Sequence, residues 1–320
     1  MSSTRPRGRL GTGTRLAGLL MLTVLAVTSV VAGGPAHAAP VRETLVVHSP
    51  SMNVDILVDV LAPADPAGTP VAILLDGADA GRDSGTRASD WLTKTDAADL
   101  FRDKNVTVAL PVGGRGSFYT DWLHPDPTLG ANRWETFLTE ELPAALRAAY
   151  SVDTTRSALV GPSMGGHAAL TLAARHPGRY RFAGAFSSCP ASADPFAQQS
   201  IRATVATRGG DPDLMWGPPD DPQWAAHDPL LLAENLRGTA LFVTVGSGTP
   251  APDDSAQDAV TGAPLEWGAN TCTDRFRRRA TELHLPATFV DRPTGLHAWP
   301  SWQTDLHDAW PHLAEALAIS

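Results

Sequence analysis

Short apolar runs separated by turn-rich polar stretches set the pattern of this chain. Residues 71–75, Val-Ala-Ile-Leu-Leu, are apolar without interruption, as expected of an inner strand covered on both faces of a sheet. Further apolar runs at 44–47, 54–60, 106–110, 158–160, 182–187, 240–245 and 287–290 predict strands. Periodic stretches between them predict helices over 91–101, 134–150, 167–176, 266–283 and 306–319. Pro111 is expected to stop the strand at 106–110, and Pro143 to kink or interrupt the helix around it. Residues 246–264 read as a loop, and 191–228, rich in Gly, Pro and Asp, as an excursion of helices and loops. Strands alternating with helices at βαβ spacing predict an α/β fold: a three-layer sandwich around a mostly parallel central sheet.

The N-terminus departs from that pattern. Arg5, Arg7, Arg9 and Arg15 precede an apolar segment over 16–32, and Ala36-His37-Ala38 offers a small-x-small cleavage site. This is the arrangement of an export signal, so residues 1–38 are expected to be removed and 39–320 to form one catalytic-sized domain. No later stretch is long enough to span a bilayer, and the exported chain would keep no transmembrane anchor. The formal charge is −9 over all 320 residues. Without the four leader arginines the rest is more acidic still, and it lacks basic clusters, which argues against a nucleic-acid partner. Export permits a disulfide between the two cysteines, Cys189 and Cys272; two buried free thiols are the rival reading. Neither cysteine has metal-ligand spacing with histidines, and no metal or organic cofactor is called for. Residues 113–117, Gly-Gly-Arg-Gly-Ser, lack the Gly-Lys-Ser/Thr ending of a phosphate loop.

The candidate chemistry centres on Gly161-Pro162-Ser163-Met164-Gly165-Gly166. A strand, a sharp turn carrying serine, and a helix make a nucleophile elbow, which lifts the hydroxyl clear of the sheet and aims the next backbone N–H at a developing oxyanion. A serine hydroxyl needs a base, and the base needs an orienting acid, in the chain order serine, acid, histidine. Among the later histidines His297 fits best, because it follows the last strand and a turn and precedes the closing helix. The acid is open on pattern alone: Asp253, Asp254 and Asp258 lie in the loop after the penultimate strand, with Glu266 further on and Asp291 near His297.

Several blocks in order resemble the antigen 85-type mycolyltransferases, within the wider esterase D-like α/β-hydrolases. They include Leu74-Leu75-Asp76-Gly77, Pro111-Val112-Gly113-Gly114, Ser117-Phe118-Tyr119-Thr120-Asp121-Trp122, Trp134-Glu135-Thr136-Phe137-Leu138, the elbow, Met215-Trp216-Gly217-Pro218, Asp228-Pro229-Leu230 and His297-Ala298-Trp299-Pro300-Ser301-Trp302. The resemblance implies an α/β-hydrolase fold and a triad of Ser163, Glu266 and His297. It also implies an oxyanion hole from the Ala78 and Met164 N–H groups, Asp76 as a sugar-holding carboxylate and Trp299 as a pocket wall. Asp79 stands where the family commonly carries arginine, and Lys94 where it carries an asparagine that binds trehalose. The stretch between these two positions is about four residues longer, and Cys189 and Cys272 are additional. The implied activity is an exported acyltransferase moving long acyl groups, mycolates among them, between trehalose-type glycolipids and cell-envelope acceptors. The alternatives are a secreted carboxylesterase without trehalose selectivity and a non-catalytic envelope-binding protein.

Overall fold

The computed structural model describes residues 41–80, 87–252 and 254–319. The expected leader lies outside them. Eight strands form one sheet: β1 (Val41–Ser49), β2 (Val54–Ala62), β3 (Pro70–Leu74), β4 (Thr107–Val112), β5 (Asp153–Pro162), β6 (Phe182–Phe186), β7 (Ala240–Gly246) and β8 (Ala287–Arg292). Their order is β1-β2-β4-β3-β5-β6-β7-β8. β1 and β2 pair antiparallel, and β2 runs antiparallel to β4. Every other pairing is parallel.

Alternation along the inner strands divides the core into two layers. Val71, Ile73 and Leu159 point into one apolar cluster with Leu142 and Leu146 of helix Leu142–Tyr150 and Leu170 of helix Met164–Arg175. Ala72, Leu74, Ala158 and Val160 point into the other, with Trp91, Phe101, and Trp302, Leu306 and Leu313 of the closing helix Trp299–Ala316. Helices on both faces of a mostly parallel sheet give the three-layer α/β sandwich.

Several boundaries differ from the sequence expectation; the strand expected at 158–160 runs over Asp153–Pro162, and the helix expected over 91–101 is two short ones, Asp90–Lys94 and Ala97–Leu100. β4 runs through Pro111 to Val112; β3 pairing ends at Ile73↔Ala109, so only β2 flanks the proline and a single ladder bond is at stake. Residues around Pro143 form a helical turn at Trp134–Thr136, a π-turn at Phe137–Glu141 and then helix Leu142–Tyr150, so the wide turn absorbs the proline's missing donor. The long helix starts at Ala256, inside the expected loop, and runs to Glu282. Ser255 caps it by accepting from the Asp258 N–H, which sets the start despite Pro264 downstream. The closing helix starts at Trp299, where Pro300 occupies a first-turn position that needs no N–H.

Cys189, in the loop after β6, is bonded to Cys272 on the long helix, with Cα atoms 4.8 Å apart across a sequence separation of 83. The two-thiol reading is thereby excluded. Closing a loop of this length constrains the unfolded chain by up to about 4–5 kcal/mol. Replacing both cysteines by serine is expected to lower the denaturant midpoint correspondingly, read by urea unfolding. An unchanged midpoint would show that the bond adds no stability.

Candidate active site

Close backbone packing fixes the elbow. Ser163 caps the helix Met164–Arg175 with φ 52° and ψ −117°, and its N–H donates to the Phe186 carbonyl at 2.8 Å. A Cβ on Gly161 would lie 2.5 Å from the Gly165 carbonyl carbon, and one on Gly165 would lie 2.6 Å from the Asp76 carbonyl oxygen. Any larger residue would push the helix off the ends of β3 and β5. Met164 occupies the first helical position, whose N–H has no partner within the helix. Ala78 follows β3 in the loop whose carbonyl accepts the Gly116 N–H at 3.0 Å. Ser163, Met164, Ala78 and His297 line one cavity of about 650 Å³, a size that suits a small-molecule ligand.

His297 sits between β8 and the closing helix. Its Nδ1 lies 3.1 Å from Glu266 Oε2. Glu266 is buried on the long helix, and its Oε1 accepts from Ser187 Oγ at 2.8 Å and from the Gly246 N–H at 2.6 Å. The Trp302 indole N–H donates to Ser187 Oγ at 3.0 Å, and its ring stands edge-on to His297 with centroids 5.1 Å apart. A Cβ on Gly262 would lie 3.1 Å from the His297 backbone nitrogen, so the helix backs directly onto the histidine loop. With Nδ1–H donated to the carboxylate, Nε2 keeps the lone pair a general base needs.

The other described candidate acids have partners of their own, although Asp258, in the first turn of the long helix, also lines the cavity. Asp254 accepts the Ala251 N–H at 2.6 Å, and Asp258 accepts from Ser255 Oγ at 2.7 Å. Asp291 pairs with Arg277, and Asp253 lies outside the described residues. Among the described residues no group of three or more His, Cys, Asp or Glu side chains could hold a metal ion. None of their helices is long and apolar enough to cross a membrane.

The expected substrate residues separate into wall and floor. Asp79 faces the cavity in a two-point ion pair with Arg208, at 3.2 Å from Nε and 2.9 Å from Nη2. Lys94 Nζ lies 3.3 Å from Asp90 Oδ2 and 5.5 Å from the Trp299 ring centre. Trp299 itself stands edge-on to Trp91 and Trp302. Asp90 and Arg208 are wall residues that sequence reasoning missed; Arg208 is 129 positions from its partner, and no local motif announces it. Asp76 lies beneath the wall, wholly buried, accepting from Ser89 Oγ at 2.8 Å and from the Asp90 N–H at 3.2 Å.

The chain is similar to known proteins over most of its length. The model of a family described as putative esterase matches residues 49–313. The chain is 35% identical over 263 residues to diacylglycerol acyltransferase/mycolyltransferase Ag85B of Mycobacterium leprae, covering 78% of this chain and 77% of that protein. It is 35% identical over 283 residues to Ag85A of Mycobacterium tuberculosis, covering 87% and 82%. The chain belongs to this esterase family. Among solved structures, Mycobacterium tuberculosis MPT51 (FbpC1) superposes with a TM-score of 0.74 at 31% identity, covering 86% of this chain and 98% of that one. An S-formylglutathione hydrolase from Agrobacterium tumefaciens shares the fold, with a TM-score of 0.65 at 19% identity, covering 87% and 96%. The esterase is thus an α/β-hydrolase-type enzyme, and its antigen 85 relatives carry the resemblance seen in its sequence blocks.

Asp76 gives the esterase a pH signature. Burial first, and then the Asp90 charge, push its carboxyl up to about 7. Between the ordinary carboxylate range, ~4, and pH 7 the folded protein holds a proton that the unfolded chain has lost. The group's contribution to stability therefore falls as pH rises through that window. Asp76→Asn is expected to flatten the fall, read as urea midpoints at about pH 4.5 and pH 7.5 against wild type. A variant with a slope as steep as wild type would show that Asp76 does not titrate there.

Proposed function

We propose that this esterase is an exported serine acyltransferase working by a ping-pong acyl-enzyme cycle. His297, oriented by Glu266, takes the Ser163 proton as Oγ attacks the carbonyl carbon of an acyl ester. The Ala78 and Met164 N–H groups receive the oxyanion, and the imidazolium then protonates the departing alcohol. An acceptor hydroxyl gives up its proton to His297 and attacks the acyl-enzyme; the bond to Ser163 Oγ breaks, the imidazolium returns the proton to Oγ, and the new ester leaves. Asp79, Lys94 and Trp299 meet the polar part of donor and acceptor, while Asp76 holds the backbone of Asp90 in place under them. The observation that carries the reading is the buried Glu266 carboxylate held against His297 Nδ1 beside a cavity that Ser163 lines. The relatives named diacylglycerol acyltransferase/mycolyltransferase support long-chain acyl groups, and the resemblance of the sequence blocks is what suggests a glycolipid donor of the trehalose type. The leader pattern supports action in the cell envelope or outside the cell, with an envelope hydroxyl as acceptor.

A specific observation keeps hydrolysis as the second reading. The positions that depart from the sugar-binding pattern, Asp79 and Lys94, are each engaged in an ion pair at the cavity wall. A secreted carboxylesterase would tolerate that change, because water needs no sugar site.

Incubation with a trehalose monoester and mass analysis of the products separates the two. Diester formation supports transfer, free acid alone supports hydrolysis, and no turnover removes both. Ser163→Ala is expected to lower kcat/KM by about 10⁴-fold with the fold intact. Glu266→Gln should lower kcat by about 10²–10⁴-fold, through loss of the orienting carboxylate. Covalent labelling of the Ser163→Ala variant by a serine-reactive phosphonate at the wild-type rate would sink the assignment.

A further inference from the structure

The long helix carries an uncharged, apolar face beside the mouth of the cavity. Between Asp258 and Asp274 its only charged side chain is Glu266, which is turned inward and buried. Val260, Pro264 and Trp267 recur at i, i+4 and i+7, so they lie on one face, and Leu265 is beside them. Phe196, from the helix Pro195–Thr207, joins this face: its ring edge would lie 3.6 Å from a Cβ on Gly268. Val260 is 75% exposed, Trp267 63%, Phe196 54% and Leu265 53%. These four are half of the eight large apolar side chains exposed among the described residues, gathered in one place. Singly exposed apolar residues need no explanation, but a contiguous group at a site entrance does.

We propose that this face docks the enzyme on an uncharged lipid surface, such as an aggregate of its own acyl-ester substrate. The inference rests on the acyl-ester reading of the cavity. Its occupant follows from continuity: Phe196, Pro264 and Leu265 line the cavity as well as the patch, so apolar side chains lead from the exterior into the site. An acyl chain drawn from a docked aggregate enters without passing through water. Charge selects the kind of surface. No Lys or Arg lies between positions 259 and 273, and the chain as a whole carries −9, so an anionic bilayer gains nothing here. Trp267 is the residue type that settles at a lipid–water boundary, with its ring in the apolar zone and its N–H at the wet side. Glu266, buried one position before Trp267, belongs to the same turn of this helix.

The test uses the chain from Ala39 onward, which contains every described residue and lacks the apolar leader that would itself bind lipid. Partition onto phosphatidylcholine vesicles is measured by cosedimentation. Activity is measured on a soluble p-nitrophenyl butyrate and on a long-chain ester embedded in the same vesicles. Val260→Ser with Trp267→Ser changes only patch residues outside the cavity lining. The double variant should partition at least about tenfold more weakly, as expected for withdrawing two apolar side chains from lipid. Its kcat/KM on the soluble ester should stay within about twofold of wild type, and its rate on the embedded ester should fall about tenfold. Val260→Leu with Trp267→Phe, which keeps the face apolar, should partition like wild type and controls for folding. Equal partition of wild type and the serine variant would overturn the proposal. So would a wild type that hydrolyses the soluble ester but does not bind vesicles, or a wild-type dimer in the absence of lipid that the serine variant loses, which would assign the face to a second copy. Vesicle binding without turnover of either ester would remove the acyl-ester reading and leave the docking face standing.

Discussion

The buried carboxylate of Glu266 is the constraint around which the site is built. An ionised carboxylate in the interior is costly unless its oxygens are met by donors. Here the donors come from three successive strand ends: Ser187 after β6, the Gly246 N–H at the end of β7, and His297 after β8. Satisfying one charge therefore brings three loops and the long helix to a common point. Two further ties hold the same partners together on later turns: the Cys189–Cys272 bond, and the Thr273 hydroxyl on the Ser188 carbonyl at 3.1 Å. The helix that carries Glu266 is thus fixed along the loop that follows β6 and is not set by one contact.

Ser163 is positioned by a different means. Where Glu266 is placed by polar satisfaction, the elbow is placed by steric closeness, since Gly161 and Gly165 let the helix back onto the ends of the inner strands. The two devices meet through Phe186 and Ser187. The Phe186 carbonyl accepts the Ser163 N–H, and the next residue's hydroxyl meets Glu266. The end of β6 is therefore shared between Ser163 and Glu266, and a shift there would move both.

What the sequence disclosed follows the same division. The layers were legible because inner strands such as 71–75 are apolar without a break, and the elbow because its signal is contained in six consecutive residues. The place of His297 between the last strand and the closing helix was legible too. Glu266 was not: its satisfaction depends on Ser187 and Gly246, 79 and 20 positions away, and position alone pointed to Asp253 or Asp254, of which Asp254 accepts the Ala251 N–H. Only the resemblance to a family singled it out. The start of the long helix was hidden by Pro264, which reads as a boundary although the Ser255 cap lies nine residues earlier. The Asp79–Arg208 pair and the side-by-side placement of Phe196 and Gly268 are products of tertiary packing, to which no local pattern corresponds.

The helix Pro195–Thr207 indicates what kind of molecule the cavity suits. Ala197 and Ile201 on one row, and Ser200, Thr204 and Arg208 on the next, all line the cavity, so the wall is one helical face and its continuation. Along roughly 18 Å, at ~1.5 Å per residue, that wall passes from the Phe196 ring to the Arg208 guanidinium. A ligand lying along it meets apolar surface at one end and polar surface at the other, which is the layout of an acyl chain joined to a polar head. The polar end is already neutralised by the two-point pairing of Arg208 with Asp79. An anionic head would have to break that pairing and leave Asp79 facing it, whereas a neutral polyol can share hydrogen bonds with both partners as they stand. On the proposed acyl-transfer reading, the same reasoning applies to the acceptor: the wall favours a hydroxyl on an uncharged head over one beside a phosphate or carboxylate.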